Sequence, residues 1–173
     1  MLQVFENGEL VCVRAHYHPE FPGHARLLDG RWTGEVWSFP LARENEVRAL
    51  CRRTYGDDGS CPSELVCLRV EVTVPCSGGP FEQLGTGLYL GGREIARAHP
   101  VGRRARTGKG VTFLRMAPAR AGSAEYPLMI IPHGAVFEVE ELSPGAAEML
   151  RAQVGDYGTV IEVQPPVGGD HLR

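Results

Sequence analysis

The sequence lacks the features that mark a membrane or an exported protein. No window of its 173 residues approaches the roughly 18 consecutive apolar residues that a membrane-spanning helix needs. The N-terminal segment MLQVFENGEL carries two acidic residues and has no basic-then-apolar signal pattern. We therefore expect a cytoplasmic protein without a membrane partner.

Cysteine occurs five times, but no pair has the CxxC spacing that is common in metal and redox sites. The odd number and the lack of an export signal favour reduced thiols over a disulfide framework. Cys61, Cys67 and Cys76 are the best candidates for a cysteine-based metal site, but their spacing matches no zinc pattern. We expect no bound metal and no cofactor.

Recognisable catalytic motifs are also missing. Ser123 lacks the GxSxG context of a nucleophile elbow, and no cysteine has a histidine at a recognisable spacing. The GKG of residues 108–110 lacks the GxxxxGK[ST] pattern of a phosphate-binding loop, so it is interpreted as the tip of a hairpin. These absences favour a protein without enzymatic activity.

Lysine is nearly absent, since arginine supplies 17 of the 18 basic residues. The planar guanidinium group of arginine binds phosphate through two hydrogen bonds and stacks on bases, which lysine does not do. Between residues 93 and 120 there are eight basic side chains and one acidic side chain. We call these basic residues the arginine block: Arg93, Arg97, Arg103, Arg104, Arg106, Lys109, Arg115 and Arg120.

Two interpretations of the arginine block stay open. The predicted loop 99–110 carries four cations and no acid, as a clamp on a nucleic-acid backbone requires. Arg93 and Arg97 are four residues apart and share a strand face, which Arg115 could join from the neighbouring strand. Alternatively, the glutamates between residues 138 and 141 neutralise the block internally, or an acidic partner protein binds it.

Residues 1–56 have the pattern of a small β-α-β-β-α unit. Asn7-Gly8 is a strong hairpin signal, and His18-Pro19-Glu20 predicts the start of a short helix. The turn Thr33-Gly34-Glu35 joins two short strands, and periodic apolar residues predict a second helix from Glu44 to Tyr55.

The rest of the chain is predicted to be rich in β-structure. Gly, Asp and Pro residues indicate a linker over 57–63. Six or seven short strands over 64–167 are typical of a sandwich or a partly closed barrel, with the basic loop 99–110 and one short helix capped by Ser143. Residues 168–173 are expected to form a flexible tail. The predicted fold class is therefore α+β.

Three histidines, His16, His18 and His24, lie within nine residues. A metal site would need all three to converge on one ion, with a second group orienting each ring. Their spacing differs from the HExxH and Cys/His patterns that are specific for metals. We favour the simpler interpretation, in which Tyr17 and His18 cap the first helix and His24 faces solvent.

The aromatic residues of the N-terminal part have a recognisable order. Tyr17-His18 precedes the first helix, Trp32 precedes the turn, and Trp37-x-Phe39-x-Leu41 follows about twenty residues after Tyr17. This order resembles the HepA-related (HARP) domain of annealing helicases over residues 9–55, with Trp32 where that family commonly has a tyrosine. The resemblance implies a module that contacts single-stranded or branched DNA and helps strands to re-pair. The sequence has no counterpart of the ATP-driven motor that accompanies the module in that family.

The two tryptophans have different expected roles. Trp37 and Phe39 lie two apart on one strand face, so we expect both in the core. Trp32 stands beside Arg31 at a turn and is the candidate for an exposed stacking platform.

We therefore expect a non-catalytic nucleic-acid-binding protein that prefers single-stranded or branched DNA. Its predicted contacts are Arg31, Trp32 and the arginine block without Arg120. The alternative is an interaction or inhibitor protein, such as a mobile element could carry, that docks an acidic partner through the same arginines.

Overall fold

The computed structural model describes residues 2–60, 64–75, 78–99 and 105–164, which form three helices and fourteen short strands in antiparallel sheets. The strands are β1 (Gln3–Asn7), β2 (Leu10–Arg14), β3 (Arg31–Trp32), β4 (Trp37–Pro40), β5 (Val66–Val72), β6 (Glu82–Leu84), β7 (Gly87–Leu90), β8 (Arg93–Ala98), β9 (Ala105–Thr107), β10 (Val111–Arg115), β11 (Ala119–Gly122), β12 (Pro127–Ile130), β13 (Val136–Leu142) and β14 (Gly158–Val163). The helices are α1 (Phe21–Leu27), α2 (Glu44–Tyr55) and α3 (Pro144–Val154), with 3-10 turns at Leu41–Arg43 and Gly155–Tyr157. The mixed α+β class predicted from the sequence is confirmed.

The chain forms two compact units. Unit 1 contains Met1–Glu64, Tyr89–Glu94 and Ser143–Gln153, and unit 2 contains the remaining segments. The sequence predicts that Tyr89–Glu94 and Ser143–Gln153 belong to the β-rich domain. Local periodicity predicts a helix or a strand, but it does not show against which unit that helix or strand packs. The hairpin tip between β7 and β8 and nearly all of α3 therefore join the N-terminal unit.

Unit 1 is built on a four-stranded sheet in the order β1-β2-β4-β3. The predicted hairpin at Asn7-Gly8 is present, with Gly8 in the left-handed region. Val11 lies opposite Phe39 and Val13 opposite Trp37, so alternate residues of β2 and β4 face the helices. The core contains Leu2, Val11, Val13, Phe21, Ala25, Phe39, Val47, Leu50, Cys51 and Tyr55.

Helix α1 begins later than the sequence predicts. It starts at Phe21, so Pro22 and not Pro19 is the proline of its first turn. The segment before it forms a turn in which the Phe21 N–H donates to the His18 carbonyl at 3.2 Å. Phe21 and Ala25 are buried, as their spacing predicts.

Helix α2 has the predicted bounds, and Gly56 ends it in the left-handed conformation with φ 69°. Helix α3 begins at Pro144 as predicted, with the Ser143 hydroxyl accepting the Ala146 N–H at 3.3 Å. It runs to Val154 and is longer than the short helix expected from the sequence. Gly145 sits against the Gly56 carbonyl oxygen, and a Cβ atom at Gly145 would overlap that oxygen.

Replacing Gly145 by alanine is therefore expected to destabilise unit 1 by about 1–3 kcal/mol, the usual cost of overpacking. Chemical denaturation followed by tryptophan fluorescence measures it. Gly23 is the matched control, since a Cβ there meets no atom within 4 Å and the residue lies in α1. Gly23→Ala should be neutral or stabilising by about 0.5–1 kcal/mol. Equal effects of the two changes would contradict the close approach of Gly145 to Gly56.

Unit 2 contains most of the remaining strands. Its four-stranded sheet has the order β10-β13-β5-β14, and β11-β12-β6 form a three-stranded sheet. A further sheet has the order β7-β8-β9. Buried side chains of unit 2 include Leu68, Val70, Phe81, Phe137 and Val139.

Part of the predicted basic loop 99–110 is a strand. Residues 105–107 form β9, which pairs with β8 and places Arg97 opposite Arg106. The short strands β6 and β11 were also missed, because three or four residues show too little alternation to predict a strand. Within the described residues no sheet closes into a barrel, and no helix is both long and apolar enough to cross a membrane.

Candidate nucleic-acid interface

Unit 1 contains an aromatic cleft of about 300 Å³. Its lining comes from the segment after β2, from α1, from β3 and β4, and from the end of α2. The aromatic cleft is defined by Ala15, His16, Tyr17, His18, Phe21, Pro22, Arg26, Trp32, Trp37 and Tyr55. Apolar walls with a few polar groups are typical of ligand sites.

The rings of the aromatic cleft form a continuous row. Trp32 contacts Trp37 with ring centroids 5.8 Å apart, and Trp37 contacts Phe21 at 6.1 Å. Phe21 contacts Tyr55 at 5.4 Å, and Tyr55 contacts the His16 ring at 5.0 Å. Because each ring packs against the next, the orientations of the rings are fixed. The row is therefore a preorganised surface on which another flat ring can stack.

Two aromatic side chains of the cleft remain largely exposed. Trp32 is 53% exposed and Tyr17 is 58% exposed, although both carry large apolar rings. Trp37 is half-buried and lines the cleft, so the expectation that it lies in the core like Phe39 is only partly met. The exposed Arg26 guanidinium lies 5.8 Å from the Trp37 ring centroid, in cation–π range. The cleft therefore combines stacking surface with positive charge.

His16 is held in place from two sides. Its Nε2 atom lies 2.6 Å from the Gly92 carbonyl oxygen, and its own carbonyl accepts the Tyr55 hydroxyl at 3.0 Å. Burial lowers the pKa of His16 below its usual value, with the Gly92 carbonyl opposing the shift. The ring is therefore neutral at pH 7, and Nε2 carries its proton.

The prediction that Tyr17 and His18 cap α1 is wrong, because Glu20 is the N-cap residue and no side chain caps this helix. The His18 Nδ1 atom accepts the Glu20 backbone N–H at 3.4 Å, and the His18 ring lies edge-on to Tyr55 and Tyr89. Burial also lowers the pKa of His18. Tyr17 is exposed, and His24 is exposed with its Nδ1 atom 2.9 Å from the Glu20 carbonyl.

The histidines do not converge on a common point. Among the residues that the structure describes, no three His, Cys, Asp or Glu side chains form a group that could hold a metal ion. Cys61 and Cys76 of the candidate cysteine site lie outside the described residues. The buried Cys51 thiol has its pKa raised to about 12 by burial, so it stays protonated at pH 7.

The buried imidazoles predict a loss of stability in mild acid. As the pH falls below about 6.5, the unfolded chain takes up protons at His16 and His18. The folded chain keeps both rings unprotonated until the pH reaches their lowered pKa values, so protonation favours the unfolded chain. Stability is therefore complete above about pH 6.5 and falls as the pH drops from there toward the lowered pKa values of the two histidines. Melting curves over this range should show the decline, and His16→Gln should reduce it. His24→Gln is the control that should keep the wild-type profile, and a flat wild-type profile would contradict the burial of these rings.

The predicted contact residues fall into both units. Arg31 and Trp32 form β3 in unit 1, and both side chains are exposed. Arg93 begins β8 and belongs to unit 1, whereas Arg97 lies on the part of β8 in unit 2. Lys109 is exposed at the turn that precedes β10. Arg103 and Arg104 lie outside the described residues.

Arg115 does not join Arg93 and Arg97. Its strand β10 pairs with β13, and β8 pairs with β9. Its Nη2 atom lies 2.6 Å from the Glu71 carboxylate, and its Nε atom donates to the Gly134 carbonyl. The prediction that Arg115 shares a face with Arg93 and Arg97 is wrong, because β10 and β8 belong to different sheets.

One of the glutamates considered as a partner of the arginine block is bound by an arginine outside it. Glu138 is bound by Arg69 at 2.6 Å, and Arg69 is not a member of the block. Arg97 and Arg106 lie directly opposite each other on β8 and β9, and both are exposed. The Arg106 Nη2 atom also lies 2.8 Å from His99 Nε2.

The aromatic cleft itself was missed from the sequence. His16, Tyr17 and His18 were treated as the entry to a helix, and Trp32 was treated alone. The cleft depends on the antiparallel pairing of β2 with β4, which places Val13 opposite Trp37 and which no local sequence pattern shows. Residues just beyond β2 therefore lie beside the β3–β4 turn.

The order of elements over residues 9–55 is the β-α-β-β-α order that the HARP resemblance implies. Element order alone does not define a family. No family model matches the chain, and neither the curated proteins nor the solved structures contain a match to it. The HARP resemblance therefore stays a prediction that depends on the aromatic residues and their spacing.

Proposed function

We propose that this chain is a non-catalytic nucleic-acid-binding protein that takes up single-stranded or branched DNA through a HARP-like module. The observation that carries the proposal is the aromatic cleft, in which the exposed Trp32 adjoins Trp37 and Arg26. A base stacked on an aromatic side chain contributes about 1–3 kcal/mol, whatever its identity. Unpaired bases are accessible to such a cleft, whereas bases inside a duplex are stacked on each other.

Positive charge on both units supports the same function. Arg31 is exposed next to Trp32 in unit 1, and Arg106 and Lys109 are exposed in unit 2. Arg97 and Arg106 occupy paired positions of β8 and β9 and are both exposed, so this strand pair adds two positive charges to unit 2. The arginines of α2 do not indicate specific base readout in a duplex groove, because Arg48 pairs with Glu44 and Arg52 pairs with Asp58.

Fluorescence polarisation with labelled single-stranded, duplex and forked DNA tests the proposal. Single-stranded and forked DNA should bind more tightly than duplex, and log K should fall with log salt by about 0.7 for each phosphate neutralised on a single strand. Absence of binding to every oligonucleotide at micromolar protein in low salt would reject it. Binding of poly-glutamate in place of DNA would instead support the acidic-partner alternative.

Replacing Arg103, Arg104 and Arg106 together by alanine should weaken DNA binding at least tenfold, with little change in melting temperature. The physical reason is the loss of three positive charges that would each neutralise a phosphate. The same three positions changed to lysine are the matched control, which keeps the charge and removes only the guanidinium fork. Loss of folding in the alanine variant would show that these arginines are structural.

A further inference from the structure

The polar groups of the aromatic cleft have a defined hydrogen-bonding character. The Nε2 atom of His16 faces the Gly92 carbonyl oxygen, which can only accept, so this nitrogen carries the proton. In the neutral ring the other nitrogen, Nδ1, is therefore an acceptor. His16 thus supplies one hydrogen-bond acceptor to the wall of the cleft.

His18 has the opposite arrangement. Its Nδ1 atom accepts the Glu20 N–H, so in the neutral ring the proton resides on Nε2. The Nε2–H group is then a donor. Both imidazoles line the cleft, and both are held against the Tyr55 ring, at centroid distances of 5.0 and 6.0 Å.

A cleft with these groups suits a particular kind of ligand. Trp32, Trp37 and Phe21 supply flat apolar surface, and the imidazole pair supplies one donor and one acceptor. A volume of about 300 Å³ is at the small end of the range for ligand pockets, which favours a single planar ring over an extended molecule. Arg26, exposed on the same cleft, can meet a phosphate attached to that ring.

We infer that the aromatic cleft holds one unpaired nucleobase and that His16 and His18 bind its Watson–Crick edge. For thymine, the N3–H group donates to His16 Nδ1, and a ring carbonyl accepts from His18 Nε2–H. This inference rests on the proposed function and adds the chemical basis for a preference for unpaired DNA. In a duplex the same edge is already hydrogen-bonded to the opposite base, so a paired base cannot satisfy the imidazoles.

The inference is tested on the unmodified protein with a chemically modified ligand. The affinity of a thymidine decamer at pH 7.5 is compared with that of a decamer in which every thymine carries a methyl group on N3. The methyl group leaves the stacking surface and the phosphate charge in place but removes the N3–H donor. We expect at least a tenfold loss of affinity for the methylated decamer.

A variant then identifies the protein groups that are responsible. His16→Phe keeps a flat ring against Tyr55 and removes the acceptor of the N3–H group, so it should bind the two decamers with affinities that differ by less than threefold. Trp32→Ala is the comparison variant, because loss of stacking should lower the affinity for both decamers by the same factor. A melting curve of His16→Phe shows whether unit 1 has stayed folded.

The outcomes separate the inference from the proposed function. Equal affinity of the unmodified protein for both decamers overturns the inference that the imidazoles bind the Watson–Crick edge. The proposed binding of DNA is not affected by that result. A full tenfold discrimination retained in folded His16→Phe also overturns the role assigned to the His16 imidazole. Failure of both decamers to bind rejects the proposed function, and the inference with it.

Discussion

Replacing Phe39 by alanine is expected to lower the free energy of unfolding of unit 1 by about 3–5 kcal/mol. Phe39 is 1% exposed and lies opposite Val11 in the sheet. The backbone of Gly30 packs directly against its ring, since a Cβ atom at Gly30 would overlap it. Truncation removes the ring from the middle of the core and leaves a cavity that the surrounding strands cannot close.

Tryptophan fluorescence gives a selective measurement of this loss. The only two tryptophans of the sequence are Trp32 and Trp37, and both belong to unit 1. A urea titration followed at this signal therefore reports on unit 1 without assuming that the two units unfold together. Because Trp37 lines the cleft while Trp32 is exposed, the fluorescence spectrum should shift to longer wavelength on unfolding.

Phe5→Ala is the matched control for Phe39→Ala. Phe5 lies in β1 of the same sheet, but its side chain is 37% exposed, with the Arg14 guanidinium 5.8 Å from its ring centroid. We expect Phe5→Ala to lower the free energy of unfolding by about 1 kcal/mol or less, since it removes little volume from the core. A native-like unfolding curve for Phe39→Ala would mean that the sheet of unit 1 does not pack as described.

Replacing Trp32 by alanine is expected to weaken binding of single-stranded DNA by about 1–3 kcal/mol, or roughly 5- to 150-fold. The indole is 53% exposed, and its packing partner Trp37 is held from behind by Phe21. A base that enters the aromatic cleft can therefore stack on Trp32 without displacing a core side chain. The change should alter stability by about 1 kcal/mol or less, because most of the removed surface is already in water.

Tyr126→Ala is the control for an exposed aromatic residue outside the cleft. Tyr126 is 73% exposed and belongs to unit 2. Its replacement should leave both affinity and stability unchanged. If Trp32→Ala binds single-stranded DNA as tightly as the unmodified protein does, the cleft is not the binding site, and the arginines alone would have to account for the affinity.

Much of the N-terminal architecture was predictable because its signals are local. Asn7-Gly8 adopts the hairpin turn, Thr33-Gly34-Glu35 separates β3 from β4, and α2 has the predicted bounds. Each of these depends on a few adjacent residues whose backbone preferences or apolar spacing agree. The start of α1 was misplaced by two residues because Pro19 and Pro22 both suit a first helical turn.

The candidate site was predictable only in its parts. Trp32 was expected to be exposed, and it is, but its contact with Trp37 and the approach of His16 and His18 depend on the pairing of β2 with β4. The placement of Arg115 failed for the same reason. Which strands are neighbours is decided by long-range pairing, and one amphipathic strand has several acceptable partners.

The sequence by itself determined the local elements, the concentration of arginine between residues 93 and 120, and the mixed α+β class, because each follows from composition or from short-range periodicity. Only the tertiary structure decided that Tyr89–Glu94 and Ser143–Gln153 join unit 1, that Glu71 binds Arg115, and that two imidazoles meet a row of aromatic rings. The physical reason is that contacts between distant residues depend on how buried surfaces fit together, and that fit is a property of the whole packed core.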